Sequence, residues 1–154
     1  RLNYPSVQID DFRHGVILHD IGKMLIPDSI LNKPAALSPD EWVIMREHVN
    51  YGFEILSTNP YLSKSLDIPH CHHEWWNGKG YPRQLRGEEI PLGARIFAVV
   101  DVWDALIERR VYRDPWPPEV VIAYIRSQSG EMFDPAVVDA FIEMVQTRIT
   151  RTAD

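Results

Sequence analysis

Between Gly93 and Glu108 the chain contains IFAVVDVWDALI, a stretch that is apolar on almost every side of a helical projection. A helix of this kind is stable in water only when other elements cover it all round, so the rest of the chain has to build a bundle about it. The flanking sequence has the periodicity to do so. Phe12, Val16 and Ile17 recur at helical spacing from about Val7 to Asp20 and lead into HDIGK, where Gly22 is expected to stop the helix. Ser38, Pro39, Asp40 and Glu41 form a capping-box signature with proline at the first helical position. Trp42, Met45, Val49, Phe53 and Leu56 then read as one apolar stripe as far as Pro60, with His48 at its edge. A shorter helix from near Ser63 to His73 should bend or start late because of Pro69. Pro117, Pro118 and Glu119 open another helix that runs through Ile122 and Ile125 to Gly130, and Asp134 with Pro135 caps a last one carrying Val138, Phe141 and Val145. No long alternation of β-branched residues predicts a strand. The expected fold is therefore all-α, a compact helical bundle, interrupted by an irregular loop, NGKGYPRQLRGEEIP, from Asn77 to Pro91.

The central helix also carries two carboxylates, Asp101 and Asp104, which an apolar surrounding does not tolerate unpaired. His19, Asp20, His48, His72 and His73 join Asp101 in lying inside or beside apolar faces, and the six are spread over four segments. One histidine beside a core stripe is ordinarily a hydrogen-bonded core residue. Six such groups are different, because each unsatisfied buried ring costs roughly 1 to 3 kcal/mol and each unpaired carboxylate more, against a total domain stability of about 5 to 15 kcal/mol. They need a common partner, and a cation supplies one. The chain holds a single cysteine, Cys71, so a structural zinc site built on thiolates is excluded. Imidazole and carboxylate suit Fe, Mn, Co, Ni or Zn. Six ligands are too many for one structural ion and sensible for two, with Asp20 as the candidate bridging carboxylate.

The rest of the composition narrows the setting. With 16 basic and 22 acidic residues among 154, the formal net charge is −6, which disfavours binding to a nucleic-acid polymer. A phosphate-bearing ligand then has to be held by a local site. A lone cysteine fits a reducing compartment, and no apolar run reaches the roughly 20 residues that cross a bilayer, so a cytoplasmic protein with no membrane segment is expected. Nothing divides the chain, and residues 1–154 are read as a single domain. Because it opens with Arg1 almost at its first helix, upstream sequence is expected to be missing.

HDIGK with IPD and KP after it, HHEWWNGKGYP, DVWDAL, YR and SG followed by FDP stand in one order along the chain. In this the sequence resembles the HD-GYP subfamily of HD-superfamily metal-dependent phosphohydrolases, from about Gly15 to Phe141. The resemblance implies the HD-superfamily helical bundle and hydrolysis of the bacterial messenger cyclic di-GMP to pGpG, and in some members to GMP, at a centre of two or three metal ions. Fe or Mn is favoured, with Ni, Co or Zn admissible. Position by position, it implies that His19, Asp20 and Asp101 hold one metal while Asp20, His48, His72 and His73 hold the other. Lys23 matches the lysine of the motif and would neutralise a phosphate oxygen or protonate a leaving alkoxide, which makes it, with Asp20, a catalytic candidate. Arg110 and Arg113 match positions that grip ligand phosphates, a task suited to guanidinium forks. Asp104, one turn after Asp101, would orient a ligand or Lys23. Tyr81 would contact substrate or hold its own loop, and Lys79, Arg83 and Arg86 around it would face a nucleotide or a partner protein. In the family that loop is implicated in contacts with diguanylate cyclase (GGDEF) domains, and an upstream sensory or receiver domain is implied. The alternative reading is a metal-bearing module that has lost turnover and acts through such contacts.

Overall fold

The computed structural model describes residues 2, 4–109 and 114–152, which form eight α-helices, with no strand longer than an isolated bridge between Ser129 and Phe133 among them. In chain order these are α1 (Ile9–Leu18), α2 (Asp28–Leu31), α3 (Pro39–Arg46), α4 (His48–Ser57), α5 (Asp67–Cys71), α6 (Leu92–Ile107), α7 (Pro118–Ser127) and α8 (Pro135–Thr152). No helix among the described residues is long and apolar enough to cross a membrane.

Helix α6 is the axis, as its all-round apolarity requires. One side packs against α7 and α8 in a core where Val99, Val121, Ile125, Phe133, Val137 and Val138 are almost wholly buried. Its other side meets α5, where Ala94 packs with Cys71 and Ile90. Helices α1 and α4 then lie against α5. The last helix starts where Asp134 predicts, its Oδ1 accepting from the Ala136 amide at 2.8 Å while Oδ2 takes the Arg95 guanidinium at 2.6 Å. Asp134 is thus both cap and cross-link from α8 to α6.

Two local expectations are corrected. The stripe from Trp42 to Leu56 is two helices, not one. Helix α3 begins with the capping box, Ser38 Oγ accepting from the Glu41 amide at 3.2 Å and Glu41 Oε2 from the Ser38 amide at 2.7 Å. It ends at Arg46, because the Glu47 amide closes a tighter turn on Ile44 and the His48 ring takes the Met45 carbonyl. The break turns His48 and Val49 inward and leaves Trp42 47% exposed. Gly22 is not a helix stop either: α1 ends at Leu18, and a 3-10 turn, Ile21–Leu25, runs straight through the glycine. Pro69 does delay its helix. Residues Pro60–Ser65 form a 3-10 turn, and α5 starts at Asp67, which puts the proline in the first turn where no amide donor is needed.

Candidate metal centre

Gly22 explains how Asp20 reaches the interior. A Cβ on it would lie 1.9 Å from the His48 carbonyl oxygen and 2.5 Å from the Gly52 amide nitrogen, so only glycine lets the HD turn press onto the backbone of α4. That contact sets Asp20 against His48, and α5 delivers His72 and His73 from the other side. The Nε2 atoms of His48 and His72 stand 3.5 and 3.9 Å from Asp20 Oδ1. On the other carboxylate oxygen, Oδ2 stands 3.2 Å from His19 Nε2 and 2.6 Å from Lys23 Nζ. One ligand atom from each of His48, His72 and His73 lies within 4.8 Å of the other two, an arrangement that could hold a metal ion. Phe97 of α6 forms an apolar wall, its ring 4.8 Å from that of His19 and 6.1 Å from that of His72.

The far side of each ring fixes the chemistry of the near side. Nδ1 of His48 faces the Met45 carbonyl at 2.8 Å, and Nδ1 of His72 faces that of Ile68 at 3.0 Å. A carbonyl only accepts, so these nitrogens carry the protons and donate, leaving Nε2 with a bare lone pair. Both Nε2 atoms and Asp20 Oδ1 are buried without a hydrogen-bond partner. Three electron-pair donors thus converge with no proton between them, each with an unmet desolvation penalty of about 1 to 3 kcal/mol. A cation is the partner that satisfies all three at once, and the donor set fits one.

The charge states agree with that use. Burial, reinforced by neighbouring His19, pushes His72 down to about 3, and burial with His72 and His48 nearby pushes His73 down to about 2, so both remain neutral lone-pair donors at pH 7. His48 is lowered as well, chiefly by burial. His19 shifts the other way. Burial opposes its charge, but the contact with Asp20, the Val16 carbonyl 2.7 Å from Nδ1 and the negative field of Asp20 and Asp101 favour the protonated ring. Both of its ring nitrogens thus face acceptors, the Val16 carbonyl and Asp20 Oδ2. Asp20 stays ionised well below the usual carboxylate range: burial resists ionisation, but the hydrogen bonds from His19 and Lys23 outweigh it.

Of the predicted site residues, the structure brings together His19, Asp20, His48, His72, His73 and Lys23, and places Asp101 half-buried on α6 where His19 feels its charge. Asp104 is exposed, and no hydrogen bond joins it to Lys23 or to a histidine among the described residues. It lies three residues, about 300° of helical rotation, after Asp101 and so borders the same face of α6. Arg110 and Arg113 lie outside the described residues. Tyr81 does touch the cluster, its ring stacked on His73 at 4.8 Å between centroids, with the Arg46 guanidinium 5.1 Å from the Tyr81 ring. Burial drives its phenol well above the ordinary value, so it meets the site as a neutral hydroxyl.

Glu74 was not singled out by the sequence reading. It is 3% exposed, and its two oxygens accept from the Arg83 amide at 2.7 Å and the Leu85 amide at 3.0 Å, holding the irregular loop over the histidines. Gly80 completes that attachment. A Cβ there would lie 2.3 Å from the Trp75 nitrogen and 2.5 Å from the His73 oxygen, where the loop crosses the chain it has just left. A carboxylate directly after two adjacent histidines was the available signal.

Comparison with known proteins is consistent with this geometry. The family model described as HD domain matches residues 1–153. The chain is 44% identical over 138 residues to 3'3'-cGAMP-specific phosphodiesterase 2 of Vibrio cholerae, covering 88% of this chain and 26% of that protein. It is 44% identical over 145 residues to a cyclic di-GMP phosphodiesterase of Thermotoga maritima, with 93% and 39% covered. It is 46% identical over 127 residues to a cyclic di-GMP phosphodiesterase response regulator of Xanthomonas campestris, with 81% and 34% covered. The crystal structure of a cyclic GMP-AMP specific phosphodiesterase of V. cholerae superposes with a TM-score of 0.67 at 22% identity, over 94% of this chain and 40% of that one, a likeness of fold. The chain spans between 26% and 39% of the length of these three curated relatives.

Proposed function

The chain belongs to the HD-domain family, in its HD-GYP branch, and from that membership we propose that it is a metal-dependent phosphodiesterase that opens cyclic di-GMP to the linear dinucleotide pGpG, the product from which some members of the family go on to GMP. The observation that carries the reading is the convergence of the bare Nε2 atoms of His48 and His72 on the unpartnered Oδ1 of Asp20. The family is metal-dependent. We assign His19, Asp20 and Asp101 to one divalent ion, and Asp20, His48, His72 and His73 to a second; the donor type suits Fe, Mn, Co, Ni or Zn, and the family resemblance favours Fe or Mn.

Bound ions of this kind polarise a phosphoryl oxygen and lower the pKa of water. The chain's own groups do the rest. Asp20 anchors the cluster with one oxygen and holds the Lys23 ammonium at 2.6 Å with the other. Held there, Lys23 would meet a phosphate oxygen or give a proton to the departing ribose oxygen. Phe97 keeps one wall apolar, so charges in the site act through a less polar medium than water. Arg110 and Arg113 are assigned the ligand phosphates on their match to the family's sequence pattern.

Purified protein reconstituted with Mn or Fe and offered cyclic di-GMP, 3'3'-cGAMP, a chromogenic phosphodiester and a panel of mononucleotides tests this. Cyclic di-GMP should disappear with pGpG as first product, and mononucleotides should remain intact. A fully metal-loaded protein that leaves every cyclic dinucleotide uncut would contradict the assignment.

A further inference from the structure

Beside the histidine cluster lies an open groove of about 640 Å³, lined by Trp42, Val43, Arg46, His73, Trp75 and Tyr81 among others. The size is that of a small-ligand site. His73 and Tyr81 belong both to this groove and to the candidate metal centre, so whatever is held at the metals continues directly into it. The break between α3 and α4 leaves its outer wall uncovered: Trp42 is 47% and Val43 64% exposed. A tryptophan at the rim of a groove offers a flat apolar face that solvent does not satisfy. At the inner end the Arg46 guanidinium is held over the Tyr81 ring, and its N–H groups make no protein hydrogen bond among the described residues. A flat shelf, a fork of donors and an adjoining candidate metal centre, read above as the phosphate end, together match a nucleotide, whose planar base is tethered to its phosphate.

We propose that this groove seats a guanine base of the substrate, stacked on Trp42, with Arg46 donating to its O6 and N7. The inference rests on the phosphodiesterase reading and deepens it. Arg46 is then a specificity-determining group, since adenine presents an amino donor where guanine presents O6 and cannot accept both hydrogen bonds. Trp42 supplies base affinity without selectivity, because every base has a stacking face. Neither residue touches the reacting phosphorus, so their effects belong in binding and KM, not in kcat.

Calorimetric titration of metal-loaded protein with GMP, AMP and ribose 5-phosphate reads this without turnover. GMP should bind best and ribose 5-phosphate, which has no base, worst. Trp42→Ala should weaken GMP by about tenfold or more, the usual loss of one base stack, and leave ribose 5-phosphate unchanged. Trp42→Phe should recover most of the loss, and Trp42→Leu should not. Arg46→Ala should remove the preference for GMP over AMP. With cyclic di-GMP, Trp42→Ala should raise KM at constant kcat and constant metal content. If Trp42→Ala leaves GMP binding intact, or Arg46→Ala weakens all three ligands equally by acting on phosphate, the assignment is overturned. Hydrolysis of cyclic di-GMP that is indifferent to Trp42 sinks the groove alone. A Trp42-dependent preference for GMP in a protein that cuts no cyclic dinucleotide sinks the activity alone.

Discussion

Asp20→Asn should lower kcat/KM for cyclic di-GMP by roughly a thousandfold or more and remove most of the bound metal, while leaving the protein folded. Asp20 is the side chain both proposed ions would share, facing His48 and His72 through Oδ1 and His19 and Lys23 through Oδ2. The amide keeps the shape but loses the negative charge, and its NH2 group turns one lone-pair donor into a hydrogen-bond donor. Stability should change little. The Lys23 pair is partly exposed, with side chains 38% and 35% accessible, so its loss is worth at most about 1 kcal/mol, and the new NH2 can satisfy a histidine Nε2. Elemental analysis and steady-state kinetics on the same preparation decide the matter. A variant that keeps its metal and more than about a tenth of its activity would show that Asp20 is not the shared ligand.

Gly22→Ala should destabilise even the chelator-treated protein, by about 3 kcal/mol or more, since its Cβ would lie 1.9 Å from the His48 carbonyl oxygen and 2.5 Å from the Gly52 nitrogen. Both obstacles are backbone, so no rotamer change relieves them. The HD turn would have to lift from α4, carrying Asp20 away from His48. Urea unfolding reads the stability directly, and a midpoint indistinguishable from the parent would mean that the two segments separate at no expense. Metal affinity should fall in parallel, because the approach that Gly22 permits is the one that assembles the cluster.

That glycine also marks where sequence reading reaches its limit. An all-α bundle about α6 was legible because apolarity on all sides has one physical solution, and Ser38 and Asp134 announced their helices through capping chemistry that is local in sequence. Six residues stand out as metal-ligand candidates because histidines and carboxylates beside apolar faces need a shared counter-charge, and three of them, His48, His72 and His73, come close enough together to hold an ion. Gly22 reads locally as a helix stop, but its role is set by a backbone more than twenty residues away, which local patterning does not encode. The apolar spacing from Trp42 to Leu56 is likewise continuous, and the break comes from the Glu47 amide closing on the Ile44 carbonyl and the His48 ring on that of Met45. Glu74 escaped notice for the same reason, since the amides it binds belong to Arg83 and Leu85. Asp104 reads as a helper from its place one turn after Asp101, and the structure leaves it exposed at the edge of the same helix face.

The central claim is that the lone pairs gathered around Asp20 exist to hold metal. Elemental analysis of protein purified without chelator, then reconstituted with Mn or Fe and desalted, should find about two ions per chain. His72→Ala, measured in parallel, should retain fewer, since its Nε2 is one of the three unpartnered donors. A content well below one ion per chain, unchanged after reconstitution and indifferent to His72, would contradict the account.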